Sequence, residues 1–278
     1  MTPRTFPRLL RQAAAALALA ALLATAGVAS SASALSTSTL IITKLAEASI
    51  DTTVGTSDMA IDSQAGRGYI ANYTRNSVDV FDVSGATLRR IATIVTGLVN
   101  PRSIAVDSVN HRVYVAERNS RAIKVVDGDP TSATVNQVTS TIATTAQPRT
   151  MAVDTTNGRL FVGSEFAETI DLIDLRDGSL SKIPINATTA GQGKPMTIDP
   201  STSTVFVGLS TDPLITVIKS DLSRTEGSIT SGTDQMQFVG GALIAAQSTM
   251  AGMALMKFDP ETLAAAATSP LLQSNTGI

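Results

Sequence analysis

Cysteine and tryptophan are absent from the 278 residues, aromatic side chains amount to 4%, and histidine occurs once, as His111. Without cysteine the chain has no disulfide scaffold, no thiolate metal site and no lipid-modified N-terminal cysteine, so packing and hydrogen bonds alone must hold it. A lone histidine has no partner for a His-based metal set, and its place beside Asn110 in a polar stretch reads as a turn. Scarce aromatics argue against a glycan or single-stranded nucleic-acid binder, because such sites use stacking platforms. EF-hand spacing, a Gly-x-Gly-x-x-Gly run and a P-loop are missing too, so no cofactor or metal is expected.

Long apolar runs are confined to the N-terminus. Arg4, Arg8 and Arg11 precede an Ala/Leu-rich segment at 13–29, which ends at Ala32-Ser33-Ala34 before a polar stretch. That order is a secretory signal peptide with cleavage after Ala34, and a run this short and Ala-rich is a poor membrane span. Residues 1–34 are therefore read as signal and 35–278 as one domain, secreted or cell-wall associated, with no integral span after cleavage. Removing the three signal arginines leaves 18 basic against 23 acidic residues, a net of −5, which disfavours nucleic acid as a partner.

What fills the remainder is a repeat. Residues 57–82, 102–127, 149–174 and 194–219 align without a gap, and a degraded fifth copy spans 234–259, where Gly240 and Gly241 shorten the first turn. Asp62, Asp107, Asp154 and Asp199 recur at spacings of 45, 47 and 45 residues, the period of propeller blades. Each copy has alternating apolar runs such as Ile104/Val106, Val113/Val115 and Ile123/Val125. A more polar run follows between copies, as in LRRIATIV. Period-2 alternation in β-branched residues means strands, and four short strands per unit make a blade. The predicted fold is all-β, a β-propeller of four-stranded blades with about five repeats. Residues 48–54 are the candidate closing strand, and the segment 261–278 is a competing fourth strand for the fifth blade.

The run Pro101-Arg102-Ser103-Ile104-Ala105-Val106-Asp107, followed by Tyr114-Val115-Ala116-Glu117 and Ile123-Lys124-Val125-Val126-Asp127, resembles the YVTN-type β-propeller repeat of bacterial and archaeal surface-layer and secreted proteins. Tyr69-Ile70-Ala71-Asn72 is a second close match, while Phe161-Val162-Gly163-Ser164 and Phe206-Val207-Gly208-Leu209 are looser. The resemblance implies an extracellular propeller with binding or scaffolding roles and no common catalytic residues. About seven repeats are usual in that family, more than are visible here.

Three features are candidates for chemistry. Arg67, Arg112 and Arg159 each lie five residues after a register aspartate, a pattern read as turn chemistry. Arg102, Arg149 and Lys194 share one repeat position, at the entrance to three consecutive first strands. Placed around one mouth they would hold an anionic small molecule or an acidic peptide. The competing reading pairs them with Glu117, Glu165, Glu168 and Asp212 in neighbouring loops, exposed pairs of little energetic weight. The first-strand runs MAI, IAV, MAV and MTI are apolar, which favours a binding module with an unknown protein or small anionic ligand over a hydrolase or lyase working in the central channel. The sequon at Asn186 reads as chance.

Overall fold

The computed structural model describes residues 55–85, 87–185, 194–229, 232–249 and 252–268. The signal segment, the candidate closing strand at 48–54, the sequon at Asn186 and the end of the chain at 269–278 lie outside the described residues.

The repeats fold as blades of four antiparallel strands taken in chain order. Blade 1 consists of β1 (Thr56–Asp62), β2 (Arg67–Asn72), β3 (Ser77–Asp82) and β4 (Arg89–Ile94). Blade 2 has β5 (Pro101–Asp107), β6 (Arg112–Glu117), β7 (Ala122–Asp127) and β8 (Val138–Ala143). Blade 3 has β9 (Pro148–Asp154), β10 (Arg159–Ser164), β11 (Thr169–Asp174) and β12 (Leu180–Pro184). Blade 4 comprises β13 (Met196–Asp199), β14 (Thr204–Gly208), β15 (Leu214–Ile218) and β16 (Arg224–Ser228). Blade 5 comprises β17 (Gln235–Val239), β18 (Ala242–Thr249), β19 (Gly252–Phe258) and β20 (Ala265–Thr268), so the segment after Glu261 does supply its fourth strand. The first strands pack in series, β1 on β5, β5 on β9, β9 on β13 and β13 on β17. This is an all-β propeller arrangement of five blades, with no helix among the described residues.

Burial explains the strand patterns. The second and third strands are covered on both faces in the interior blades, as in the near-continuous burial of Val113 to Glu117, because blades 2, 3 and 4 each pack between two others. Outer strands such as β8 and β12 are covered on one side at most and are accordingly polar. Four apolar clusters occupy four seams between blades. Tyr69 packs with Ile104 and Val113 at the first seam, Tyr114 with Met151 and Leu160 at the second, Phe161 with Met196 and Val205 at the third, and Phe206 with Met236 and Leu243 at the fourth. One repeat position thus delivers an aromatic to every seam.

The first turn of blades 1 to 4 is organised by the register aspartate. Asp62 Oδ1 accepts the N–H groups of Gln64 (3.0 Å) and Ala65 (2.9 Å), and Asp107 Oδ1 those of Val109 and Asn110, both at 3.0 Å. This leads the chain into a left-handed residue just before the second strand: Gly66, His111, Gly158 and Ser203, with φ between 49° and 63°. Where that residue is not glycine, its side chain reaches the preceding blade. His111 Nδ1 lies 2.7 Å from Asp62 Oδ2, and Ser203 Oγ donates to Asp154 Oδ1 at 2.9 Å. The arginines five residues beyond the aspartates also work on this face. Arg67 donates to the carbonyl of Gly128 and Arg159 to that of Ser220, each in the next blade, while Arg112 pairs with Asp127 of its own blade at 2.9 Å. In blade 5 the two-residue turn Gly240-Gly241 has both φ values positive, 56° and 75°, as a type I′ hairpin requires.

Candidate functional site

Antiparallel register brings the entrance of each first strand beside the loop between the second and third strands. Pro101 is opposite Glu117 and Pro148 opposite Ser164, each across a local register shift. The entry cation of a blade therefore lies near a seam, within reach of such a loop of its own blade or of the blade before. Arg102, Arg149 and Lys194 stand at three different seams, with three different outcomes.

Arg102 lies at the seam between blades 1 and 2, its guanidinium carbon 4.0 Å from the centre of the Tyr73 ring. Its Nε donates to Asn100 Oδ1 at 3.2 Å. A cation over a tyrosine face is attracted by the ring quadrupole.

Arg149, at the seam between blades 2 and 3, is half exposed, and its guanidinium is ion-paired with Glu165 Oε1. The second oxygen of that carboxylate takes Arg118 from the facing loop of blade 2, Nη2 to Oε2 at 2.5 Å. The Glu165 side chain is 6% exposed, so one buried carboxylate carries two guanidinium groups from two blades. Arg118 Nε is buried and has no hydrogen-bond partner, and neither has Ser164 Oγ beside Glu165. The neighbouring acid, Glu117, does not relieve this excess of positive charge. Its oxygens accept the Val99 N–H at 2.5 Å and the Ser120 hydroxyl at 2.6 Å.

Lys194, at the seam between blades 3 and 4, is 3% exposed and donates from Nζ to the Ser164 carbonyl at 2.7 Å. Burial pulls its ammonium below the ordinary lysine range, and the negative charge of Glu165 opposes that pull. Its route across blade 3 depends on Gly163. A Cβ at Gly163 would stand 2.5 Å from Thr150 Oγ1 and 3.3 Å from Lys194 Cβ. Thr150 Oγ1 in turn donates to the Lys194 carbonyl at 2.6 Å. The expectation that all three entry cations are exposed is corrected for Lys194, because a glycine in the neighbouring strand opens a slot for its stem.

Arg149 thus pairs with Glu165, one of the acids named as a competing partner, whereas Lys194 donates to the Ser164 carbonyl and only feels the charge of Glu165, and Arg102 is held on Tyr73. Arg118 was missed in the sequence because it has no counterpart at its repeat position: Tyr73, Glu165 and Ser210 stand there in the other blades. Asp58 was missed as well. At the entrance of β1 its carboxylate accepts the Ser103 hydroxyl at 2.7 Å and the Ile104 N–H at 3.0 Å, tying blade 1 to blade 2. Burial pushes its carboxyl above the usual range despite these bonds. No group of three or more acids or histidines able to hold a metal occurs among the described residues.

A family model described as "Lactonase, 7-bladed beta-propeller" matches residues 28–153, less than half of the chain and ending within β9. No curated protein matches. Among solved structures, a chain in "Crystal structure of Nidogen/Laminin Complex" is similar over 78% of this chain and 81% of that one, with a TM-score of 0.61 and 14% identity. An identity that low speaks to the fold alone, and on fold the comparisons and the strand topology agree: the chain is a β-propeller protein.

Proposed function

We propose that this protein is an exported propeller of the YVTN repeat type that serves as a binding module for anionic groups, with Arg149 as the exposed contact and with Lys194 and Arg102 at the seams on either side. One observation carries this reading. Arg118 and Arg149 share the single carboxylate of Glu165, which leaves a partly exposed surplus of positive charge on a chain whose formal net charge is −2. Like charges held together on an acidic protein mark a place where a bound anion stabilises the arrangement. The test is binding of a fluorescent polyglutamate probe to the secreted protein. Arg149→Ala with Arg118→Ala should weaken it at least tenfold and make the residual binding insensitive to salt. Equal binding by the double variant would remove the reading. Export is tested separately by N-terminal sequencing of the secreted chain, which should begin at Leu35 after cleavage behind Ala34.

A second reading, hydrolysis of a lactone, is favoured by the family match over residues 28–153. The acid of altered character at a first-strand entrance is Asp58. Base uptake with a panel of five- and six-membered lactones distinguishes the two. Turnover abolished by Asp58→Asn and untouched by Arg149→Ala would transfer the function from the blade 2/3 seam to the first strands.

A further inference from the structure

The residue that follows Glu165 is as unusual as the ion pairs before it. Phe166 is 65% exposed and has φ of 60°, a left-handed conformation that a bulky side chain rarely adopts. The two facts belong together, because the turn that aims Glu165 inward at both arginines holds the next side chain out in solvent. In the connection that enters blade 2, the Val99 N–H is fastened to Glu117, next to Arg118, and Val99 is 52% exposed. A connected path runs from Val99 through Glu117 and Arg118 to Glu165 and Phe166, with an exposed apolar group at each end and the arginine pair between them.

Backbone strain at an exposed aromatic is not selected for packing, since the ring buries little of its surface. Strained outliers of this kind gather at recognition sites. Two cavities among the described residues lie elsewhere. One is a groove of about 460 Å³ lined by Thr141 to Thr145 with Leu180, and the other a hollow of about 290 Å³ near Asp199 and Lys219. Small organic ligands favour concave sites that enclose most of their surface, whereas aromatic and arginine side chains on open loops are typical of contacts with protein.

Resting on the anion-binding reading above, we propose that the seam between blades 2 and 3 docks an acidic peptide segment of a partner protein, one that carries an apolar side chain beside its carboxylates. The carboxylates face Arg118 and Arg149, where charge complementarity is greatest. The apolar side chain covers Phe166.

Three probes test this on the full secreted chain: a labelled peptide alternating glutamate and phenylalanine, an all-glutamate peptide of equal charge, and the small dicarboxylate succinate. The mixed peptide should bind at least tenfold more tightly than the all-glutamate peptide. Phe166→Gly should abolish that difference while leaving the all-glutamate peptide as it was, and Arg118→Ala should weaken both. Because glycine accepts the backbone conformation, Phe166→Gly should melt no lower than the parent, so loss of binding cannot be loss of folding. Equal binding of the two peptides, with no effect of Phe166→Gly, overturns the docking inference and leaves the anion-binding reading standing. Succinate binding as tight as the mixed peptide makes this a small-molecule site and overturns it too. No binding of any acidic probe defeats both readings together.

Discussion

Tyr114 shows what one repeat position does for the fold. It sits in the middle of β6, buried at the seam between blades 2 and 3 with Ala105, Met151 and Leu160 around it. Burial raises its phenol to about 12, with the negative charge of Asp107 adding to the effect, so it remains a neutral core side chain at any working pH. Tyr114→Ala should cost about 3–5 kcal/mol in urea unfolding, as large aromatic truncations in cores do. A cost near zero would mean that the aromatic is not wedging the two blades apart. Two positions further along, the same strand shows why the second-strand motif varies from blade to blade. Ala71, Ala116, Gly163 and Gly208 hold equivalent places, and the smaller residue is present where a neighbour's side chain presses on the strand. At Gly163 that neighbour is the Thr150 and Lys194 pair, and at Gly208 it is Thr233 and Met236.

Single strands and turns were largely legible in the sequence, because alternation and the recurring aspartate report a local, repeated geometry. The turn aspartates accept backbone N–H groups as turn chemistry demands, and the arginines after them donate mainly to loop carbonyls and to Asp127. The contacts between blades were not legible. Arg118 meets Glu165 across 47 positions in a pairing that no other copy repeats, and the link from His111 to Asp62 across 49 recurs only between Ser203 and Asp154, with a different side chain, so residue identity at the repeat positions carries little trace of them. His111 is a turn residue, as expected, and also a link between blades. With φ of 49° it occupies the left-handed site that glycine takes in blades 1 and 3, and its Nδ1 completes the partners of the buried Asp62 carboxylate. His111→Ala should lose about 1–3 kcal/mol, the cost of leaving a buried acceptor unpaired. His111→Gly should lose less than His111→Ala by about 1 kcal/mol, since glycine relieves the left-handed strain. Identical urea midpoints for the two variants would show that the backbone conformation contributes nothing, and a parental midpoint in both would show the same of the inter-blade bond.

At the scale of the whole molecule, six turn carboxylates, Asp82, Asp127, Asp129, Asp174, Asp199 and Asp221, share a direction of titration. Asp174 is held down at about 2, first by hydrogen bonding from the Arg176 guanidinium and then by the Arg176 N–H and charge. The Ser84 hydroxyl lowers Asp82, the Thr131 hydroxyl Asp129, and the Ser223 hydroxyl Asp221. In Asp127 and Asp199 burial is the largest influence and acts upward. Several hydrogen bonds together outweigh it, those of Ser132 and Thr134 in one case and of Ser201 and Thr202 in the other. A carboxyl whose folded pKa lies below its unfolded value, about 3.9 for aspartate, adds stability that is complete above that value and disappears as pH falls toward the folded one. Asp58 has the opposite sign: its raised carboxyl weakens the fold while ionised, and protonation relieves it. Being one group against many, it blunts the acid transition without reversing it. The melting temperature should therefore hold steady from pH 7 to about 5 and then fall steeply between about 4 and 2. In Asp174→Asn the fall should be shallower, because one of the most strongly depressed groups no longer titrates. A melting temperature unchanged down to pH 2.5, or one that declines already between pH 7 and 5, would mean that these turn carboxylates do not govern acid stability. The linkage between blades would then have to rest on the apolar seams alone.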